Sequence, residues 1–175
     1  MKKVIVIGSP GAGKSTFARR LRDLTGLPLY YLDQIWHRSD RTTVSRLEFD
    51  AALTEIFTGG EWIIDGNYRR TLERRMMACD TVFLLDYPVE VCLAGAAARV
   101  GQAREEMPWT EEALDPAFAQ YIRDFAAEQL PYCYELLERY GEGRQVVIFR
   151  SREEADAWLR LYESQNACYT EENRV

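Results

Sequence analysis

The nine residues "GSPGAGKST" at positions 8–16 constrain this chain more than any other stretch. They follow the apolar run Val4–Ile7 and precede a segment in which Phe17, Leu21 and Leu24 recur on one helical face. A short continuous run rich in β-branched residues suits a strand covered on both faces, as in a parallel sheet. Gly8 to Ser15 match the spacing G-x-x-x-x-G-K-[ST] at every required position. Glycines let the backbone curl so that its N–H groups converge, and the helix that follows adds free N–H groups and its positive dipole end. Such a loop cradles the phosphates of a nucleoside triphosphate. Gly8, Pro10, Gly11, Ala12, Gly13, Lys14, Ser15 and Thr16 are therefore the expected ATP-binding residues. Lys14 would reach the β- and γ-phosphates, and Ser15 would offer its hydroxyl to Mg²⁺.

The rest of the chain alternates strand and helix. Gly26 and Pro28 stop the first helix. "LPLYYLD" reads as a second strand ending at Asp33, and "SRLEFDAALTEIF" as a helix opened by a capping box between Ser45 and Glu48. "EWIIDGN", "DTVFLLDYP" and "RQVVIFRS" read as three more strands, the first two ending at Asp65 and Asp86. The last helix starts at Ser151, with Glu154 at capping-box spacing and an apolar face of Ala155, Trp158, Leu159 and Tyr162. This alternation implies parallel βαβ units and an α/β three-layer sandwich. One domain over residues 1–164 is expected, with an acceptor-binding insert at about 34–60 and a lid at about 100–117. After Ser164 the helical pattern is lost, so residues 165–175 are expected to form a loose tail.

Composition narrows the function. There are 22 Lys+Arg against 28 Asp+Glu, a net charge of −6, which is poor for gripping a nucleic-acid backbone. Direct nucleic-acid binding is not expected. Cys79, Cys92, Cys133 and Cys168 form no C-x-x-C pair, and His37 is the one histidine, which argues against zinc and for reduced, buried thiols. The apolar part of "MKKVIVIGS" is too short for a signal peptide, and no stretch is long enough to span a bilayer, so a cytoplasmic protein is expected.

No N-K-x-D motif of switch GTPases occurs, no transporter-ATPase signature is visible, and the chain is short for an AAA-type module. A small kinase remains. In "WIIDGNYRRT" a strand ends in a carboxylate, Asp65, and an arginine, Arg69, stands four residues on. A carboxylate beside a phosphate loop can hold Mg²⁺ directly or through water. Arginine beyond it can clamp a phosphate or carboxylate bidentately. This segment resembles nucleoside monophosphate kinases such as adenylate kinase, whose aspartate assists the metal and whose arginine binds the acceptor's phosphate. Those roles fall by resemblance on Asp65 and Arg69, although "NY" stands where those kinases have an aromatic and a proline. Over nearly the whole chain, "IGSPGAGKSTFARRL", "LYYLDQIWH", "EWIIDGNYRRTLERRM", "DTVFLLDYP", "MPW" and "FRSREEADAWL" resemble the bacterial DNA topology modulation (FlaR-like) proteins, which are adenylate-kinase-like P-loop proteins. The resemblance implies a five-stranded parallel sheet of order 2-3-1-4-5 and a kinase-type ATP site.

On the acceptor side, the likeness to shikimate and gluconate kinases implies that Asp33 orients the acceptor hydroxyl or takes its proton. A plain capping role is the alternative. Trp36 either stacks on a base or sugar or anchors the core, and His37 reads as a surface or capping residue rather than a catalyst. Of Arg69, Arg70, Arg74 and Arg75, position favours Arg69, and the others read as a solvated face. Arg99 stands best among the lid arginines, ahead of Arg104 and Arg123, with Glu105, Glu106, Glu111 and Glu112 as competing partners. The lid is expected to be a helical flap that closes to exclude water, and "FRS" at 149–151 to edge the adenine. The expected catalytic set is thus Lys14, Asp33, Arg69 and Arg99, with Ser15 and Asp65 on the metal. The reaction is phosphoryl transfer from Mg·ATP to a nucleotide, nucleoside or hydroxyl metabolite. The alternative is a nucleotide-binding regulatory protein with weak ATPase activity that influences DNA topology directly or through a partner.

Overall fold

Val4 and Val6 bury on one face of the central strand, and Ile5 and Ile7 on the other. A strand apolar on both faces must be covered by helices on both sides. The structure, a computed structural model, describes the backbone of residues 1–172 and the side chains of residues 1–166. Its strands are β1 (Lys3–Gly8), β2 (Leu29–Tyr31), β3 (Trp62–Asp65), β4 (Thr81–Leu85) and β5 (Gln145–Phe149). All pair in parallel, in the order β2-β3-β1-β4-β5, as the sequence led us to expect. The helices are α1 (Lys14–Thr25), α2 (Leu32–Trp36), α3 (Arg46–Thr58), α4 (Arg69–Ala78), α5 (Val89–Ala98), α6 (Pro116–Glu128), α7 (Leu130–Tyr140) and α8 (Arg152–Glu172). Phe17 and Leu21 of α1, Cys92 of α5, Ile122 of α6 and Leu159 of α8 cover one face. Phe49 and Leu53 of α3, Leu72 and Met76 of α4, and Leu136 of α7 cover the other.

The packing fixes where α1 begins. Phe17 lies 4.9 Å from Phe83, 5.4 Å from Phe149 and 6.1 Å from Trp158 between ring centroids. Burying such a ring contributes about 1.5–3 kcal/mol, so the first turn of α1 is held at the carboxyl ends of β1, β4 and β5. Gly26 ends α1 in the left-handed region, its N–H donating to the Arg22 carbonyl at 2.7 Å. Ser45 and Glu48 form the expected reciprocal capping box. At α8 the box is offset: Ser151 Oγ accepts from the Glu154 N–H, while the Glu154 carboxylate accepts from the Arg150 N–H.

Three expectations need correction. β2 ends at Tyr31, so Asp33 lies in the first turn of α2 rather than at a strand end. The β2–β3 ladder stops at Tyr31↔Asp65, where β3 itself stops, and the apolar run continues into a helix because Leu32 is fully buried. The lid expected at about 100–117 is not a helical flap: residues 99–115 contain no helix and α6 begins only at Pro116; ion pairs organise the segment, as described below. The last helix continues past Ser164 to Glu172. Cys79, Cys92 and Cys133 are free and buried, whereas the side chain of Cys168 lies outside the described residues.

Candidate active site

The phosphate loop leaves β1 at Gly8 and enters α1 at Lys14. Gly11 and Gly13 have φ of 81° and 92°, the left-handed region that glycine reaches without strain. A Cβ on Gly11 would sit 2.0 Å from the Cys92 carbonyl oxygen, so the loop lies directly on the backbone of α5. A Cβ on Gly13 would meet nothing within 4 Å. The loop is open at that point, which leaves the room a bound phosphate would need. Lys14 Nζ donates to the Ser9 carbonyl at 3.0 Å. Burial holds its pKa below the usual lysine value, and the neighbouring Asp65 and Asp33 oppose that shift. Ser15 Oγ donates to Asp65 Oδ2 at 2.5 Å. Asp65 is 5% exposed, and its Oδ1 is buried with no partner among the described residues. Burial pushes the Asp65 carboxyl up to about 6, against the pull of Lys14 and Ser15. Two hard oxygens beside the phosphate loop, one of them orphaned, suit Mg²⁺ and a polyphosphate.

Asp33 lines the same cavity as Lys14 and Ser15, and its Oδ1 accepts the Tyr68 hydroxyl at 2.8 Å. Burial and this carboxylate raise the Tyr68 pKa, so the phenol stays a donor. Tyr68 has φ 36° and stacks on Phe49 at 5.1 Å. Trp36 meets Phe49 edge-on at 5.4 Å, so it anchors α2 in the core and does not line the cavity. His37 does line it, edge-on to Trp109 at 5.0 Å. The Arg69 guanidinium lies 4.1 Å from the Tyr132 ring centre and donates to the Glu128 carbonyl at 3.1 Å, at the cavity wall.

Two cavities flank the phosphate loop. One of about 850 Å³ is lined by Asp33, His37, Asp65, Tyr68, Arg69 and Tyr121, among others. The other, of about 620 Å³, is lined by Gly11, Gly13, Thr16, Gln102, Arg152 and Asp156, among others. Lys14, Ser15, Arg99, Arg104 and Glu106 line both. Arg104 pairs with Glu106 at 3.2 Å and with Glu111 at 3.0 Å; Arg99 lies 3.6 Å from Glu111 and over the Phe118 ring. Burial, and then Arg104, lower the Arg99 pKa. Burial alone would raise the Glu106 carboxyl, but its own backbone N–H and Arg19 outweigh that and hold it low.

No protein-family model matches the chain. In sequence it is 33% identical over 97 residues to the adenylate kinase of Thermotoga petrophila, which covers 54% of this chain and 43% of that relative. It thus spans less than half the length of the curated relatives it matches. In structure it superposes on shikimate kinase from Acinetobacter baumannii, solved in complex with shikimate, with a TM-score of 0.59 and 19% identity over 94% of this chain and 95% of that one. Shikimate kinase from Bacteroides thetaiotaomicron gives a TM-score of 0.59 and 15% identity over 94% and 97%. The fold is that of the P-loop kinases.

Within the P-loop kinase fold, the expected Lys14, Ser15, Asp33, Asp65, Arg69, Arg99 and Arg104 all reach one or both cavities. Arg123 is exposed and lines neither. "FRS" does not border the second cavity: Phe149 pairs in register with Leu85 and turns into the core, Arg150 bonds to Asp86, and Arg152 is the lining residue. The lid loop is pinned by Arg19 on Glu106 at 2.8 Å, Arg22 on Glu105 at 2.9 Å, and Gln34 on the Glu105 carbonyl. Arg70 pairs with Asp50 and Arg74 with Thr54 on the surface, as a solvated face requires. Arg75 does not belong to that face. It is fully buried and donates to the carbonyls of Gly66 (2.7 Å), Asn67 and Tyr68 (3.3 Å). Burial lowers its pKa to about 10. Its signal was present: Leu72, Arg75, Met76 and Cys79 share the buried face at helical spacing. Asn67 and Tyr68 were also missed as site residues.

Proposed function

We propose that this protein is a Mg²⁺- and ATP-dependent phosphotransferase acting on a small-molecule acceptor. The observation that carries the proposal is that two cavities share Lys14, Ser15, Arg99 and Arg104 in their walls. A donor bound over the phosphate loop and an acceptor bound beside Asp33 would face each other there. Positioning and charge neutralisation then supply most of the catalysis.

Lys14, Arg99 and Arg104 would share the charge of the transferring phosphoryl group. Asp33, oriented by Tyr68, would hold the acceptor hydroxyl and take its proton late in transfer. Arg69 would bind an anionic group on the acceptor. Mg²⁺ would be held by Ser15 and Asp65 with phosphate and water oxygens, the Asp65 Oδ1 having no partner among the described residues. Once bound with ATP it neutralises charge on the phosphates. Nucleotides, nucleosides and hydroxylated metabolites remain the acceptor classes, and shikimate, present in one of the superposed kinases, belongs in the panel.

Membership of the FlaR-like group rests on the motifs quoted above. For direct action on DNA, a net charge of −6 is unfavourable, and none of the comparisons supports that reading. The proposed setting is the cytoplasm, where the three buried free thiols would stay reduced; no helix among the described residues is long and apolar enough to cross a membrane. The test is ADP release from Mg·ATP across nucleoside monophosphates, nucleosides and hydroxy-metabolites, with Lys14→Ala as the blank. Acceptor-stimulated release that the variant lacks supports the proposal. Slow release indifferent to every acceptor opposes it.

A further inference from the structure

The β1–β3 ladder ends where the phosphate loop begins. Its last backbone rung is the Gly66 N–H donating to the Val6 carbonyl at 3.2 Å. The next residue of β1 on that edge is Gly8, and β3 offers it no backbone partner. Asn67 takes the rung instead. Its Oδ1 accepts the Gly8 N–H at 3.0 Å, and its Nδ2 donates to the Gly8 carbonyl at 2.8 Å. A carboxamide presents an acceptor and a donor in one plane, so it can stand in for a peptide group. Gly8 needs such a restraint. Its φ is 135°, a Cβ there would lie 2.2 Å from the Leu85 carbonyl oxygen, and glycine restrains its own backbone least of all residues.

We infer that Asn67 is a positioning residue whose carboxamide clamps the entrance of the phosphate loop, so that the loop 66–68 sets the geometry of both substrate sites. Its neighbour Tyr68 holds Asp33 on the acceptor side. Arg75 locks the loop itself through the carbonyls of Gly66, Asn67 and Tyr68. This explains a buried arginine that touches neither cavity. It also accounts for "NY" in place of an aromatic and a proline: the first residue reaches the donor loop and the second the acceptor carboxylate. Without the clamp, the fraction of molecules with a binding-competent loop falls, and apparent nucleotide affinity falls with it.

The inference rests on the kinase reading only in that the loop binds Mg·ATP, so the test has two readouts. One is hydrogen exchange at the Gly8 amide by NMR; the other is the Kd of a fluorescent N-methylanthraniloyl-ATP with Mg²⁺. In Asn67→Ala, Gly8 exchange should quicken and the Kd should rise roughly tenfold, the worth of one or two net hydrogen bonds. Asn67→Asp keeps an oxygen for the Gly8 N–H but loses the donor to its carbonyl and adds a charge beside the loop, so its reading is Gly8 exchange rather than Kd, and that exchange should fall between wild type and alanine. It serves as the readout if the alanine variant does not fold. Arg70→Ala, on the solvated face, should change neither. Wild-type Gly8 exchange and wild-type affinity in a folded Asn67 variant would overturn the inference. A wild-type protein that binds no Mg·ATP would overturn the kinase reading, while Gly8 exchange would still test the clamp.

Discussion

Ser15 Oγ lies 2.5 Å from Asp65 Oδ2, joining the first turn of α1, whose Lys14 and Ser15 line both cavities, to the end of β3. The other Asp65 oxygen is buried with no partner among the described residues. An unsatisfied buried carboxylate is costly to a folded protein, so its presence points to a ligand that uses it. Asp65→Asn keeps the size and removes the charge. We expect its thermal midpoint at pH 8 to match or exceed wild type, while acceptor-dependent turnover falls by about 10² or more. Turnover within twofold of wild type would remove Asp65 from the site.

The same carboxyl gives a pH prediction for the nucleotide-free protein. Its folded pKa is about 6, raised from 3.8 by burial. Above about 6 the folded state carries the full penalty of a buried charge. As pH falls from 6 toward 3.8 the folded state gains a proton that the unfolded state does not yet hold, so this group's contribution to stability improves. The stability advantage of Asp65→Asn over wild type should therefore be larger at pH 7.5 than at pH 5. An advantage that does not change between those pH values would contradict the raised pKa.

Arg99 and Arg123 provide an internal contrast. Arg99 lines both cavities, whereas Arg123 is exposed and lines neither. Arg99→Ala should lower kcat by roughly 10³, the scale of an arginine that neutralises a transferring phosphoryl group, with Mg·ATP affinity changed only a few-fold. Arg99→Lys should recover little, because a point charge cannot replace a planar fork. Arg123→Ala should leave steady-state kinetics unchanged. Equal losses at both positions would indicate a general electrostatic effect.

Two glycines of the loop should fail differently. Gly13→Ala faces open space and carries mainly the left-handed backbone cost of about 1–2 kcal/mol, yet its methyl group would take up room proposed for phosphate. It should remain folded and lose nucleotide affinity. Gly11→Ala adds a clash with the Cys92 carbonyl at 2.0 Å and should lower the thermal midpoint well beyond Gly13→Ala. Denaturation curves beside nucleotide titrations separate the two.

What could be read from the sequence was local. The strand–loop–helix of residues 3–25, the stripe of Phe17 and Leu21, and the Ser45–Glu48 box depend on spacings within a few residues. What could not be read depends on partners far along the chain. Asn67 and Gly8 are 59 residues apart, and Tyr68 and Asp33 are 35 apart. Arg75 stands in a run of arginines, and charge alone does not tell a buried brace from a solvated neighbour such as Arg74. The end of β2 is set by where its partner β3 stops, since its apolar run continues to Leu32. The lid forms no helix, and Arg19 and Arg22 of α1 tie its Glu106 and Glu105 down across 87 and 83 residues, partners that local spacing does not reveal.

The most direct measurement follows the γ-phosphoryl group itself. The protein is incubated with Mg²⁺, γ-³²P-labelled ATP and a pool of nucleoside monophosphates, nucleosides and hydroxy-metabolites, beside Lys14→Ala. The account predicts label in a new organic phosphate, formed by wild type and not by the variant. Label that remains in ATP, or that appears only as inorganic phosphate at a rate unaffected by the pool, would contradict it.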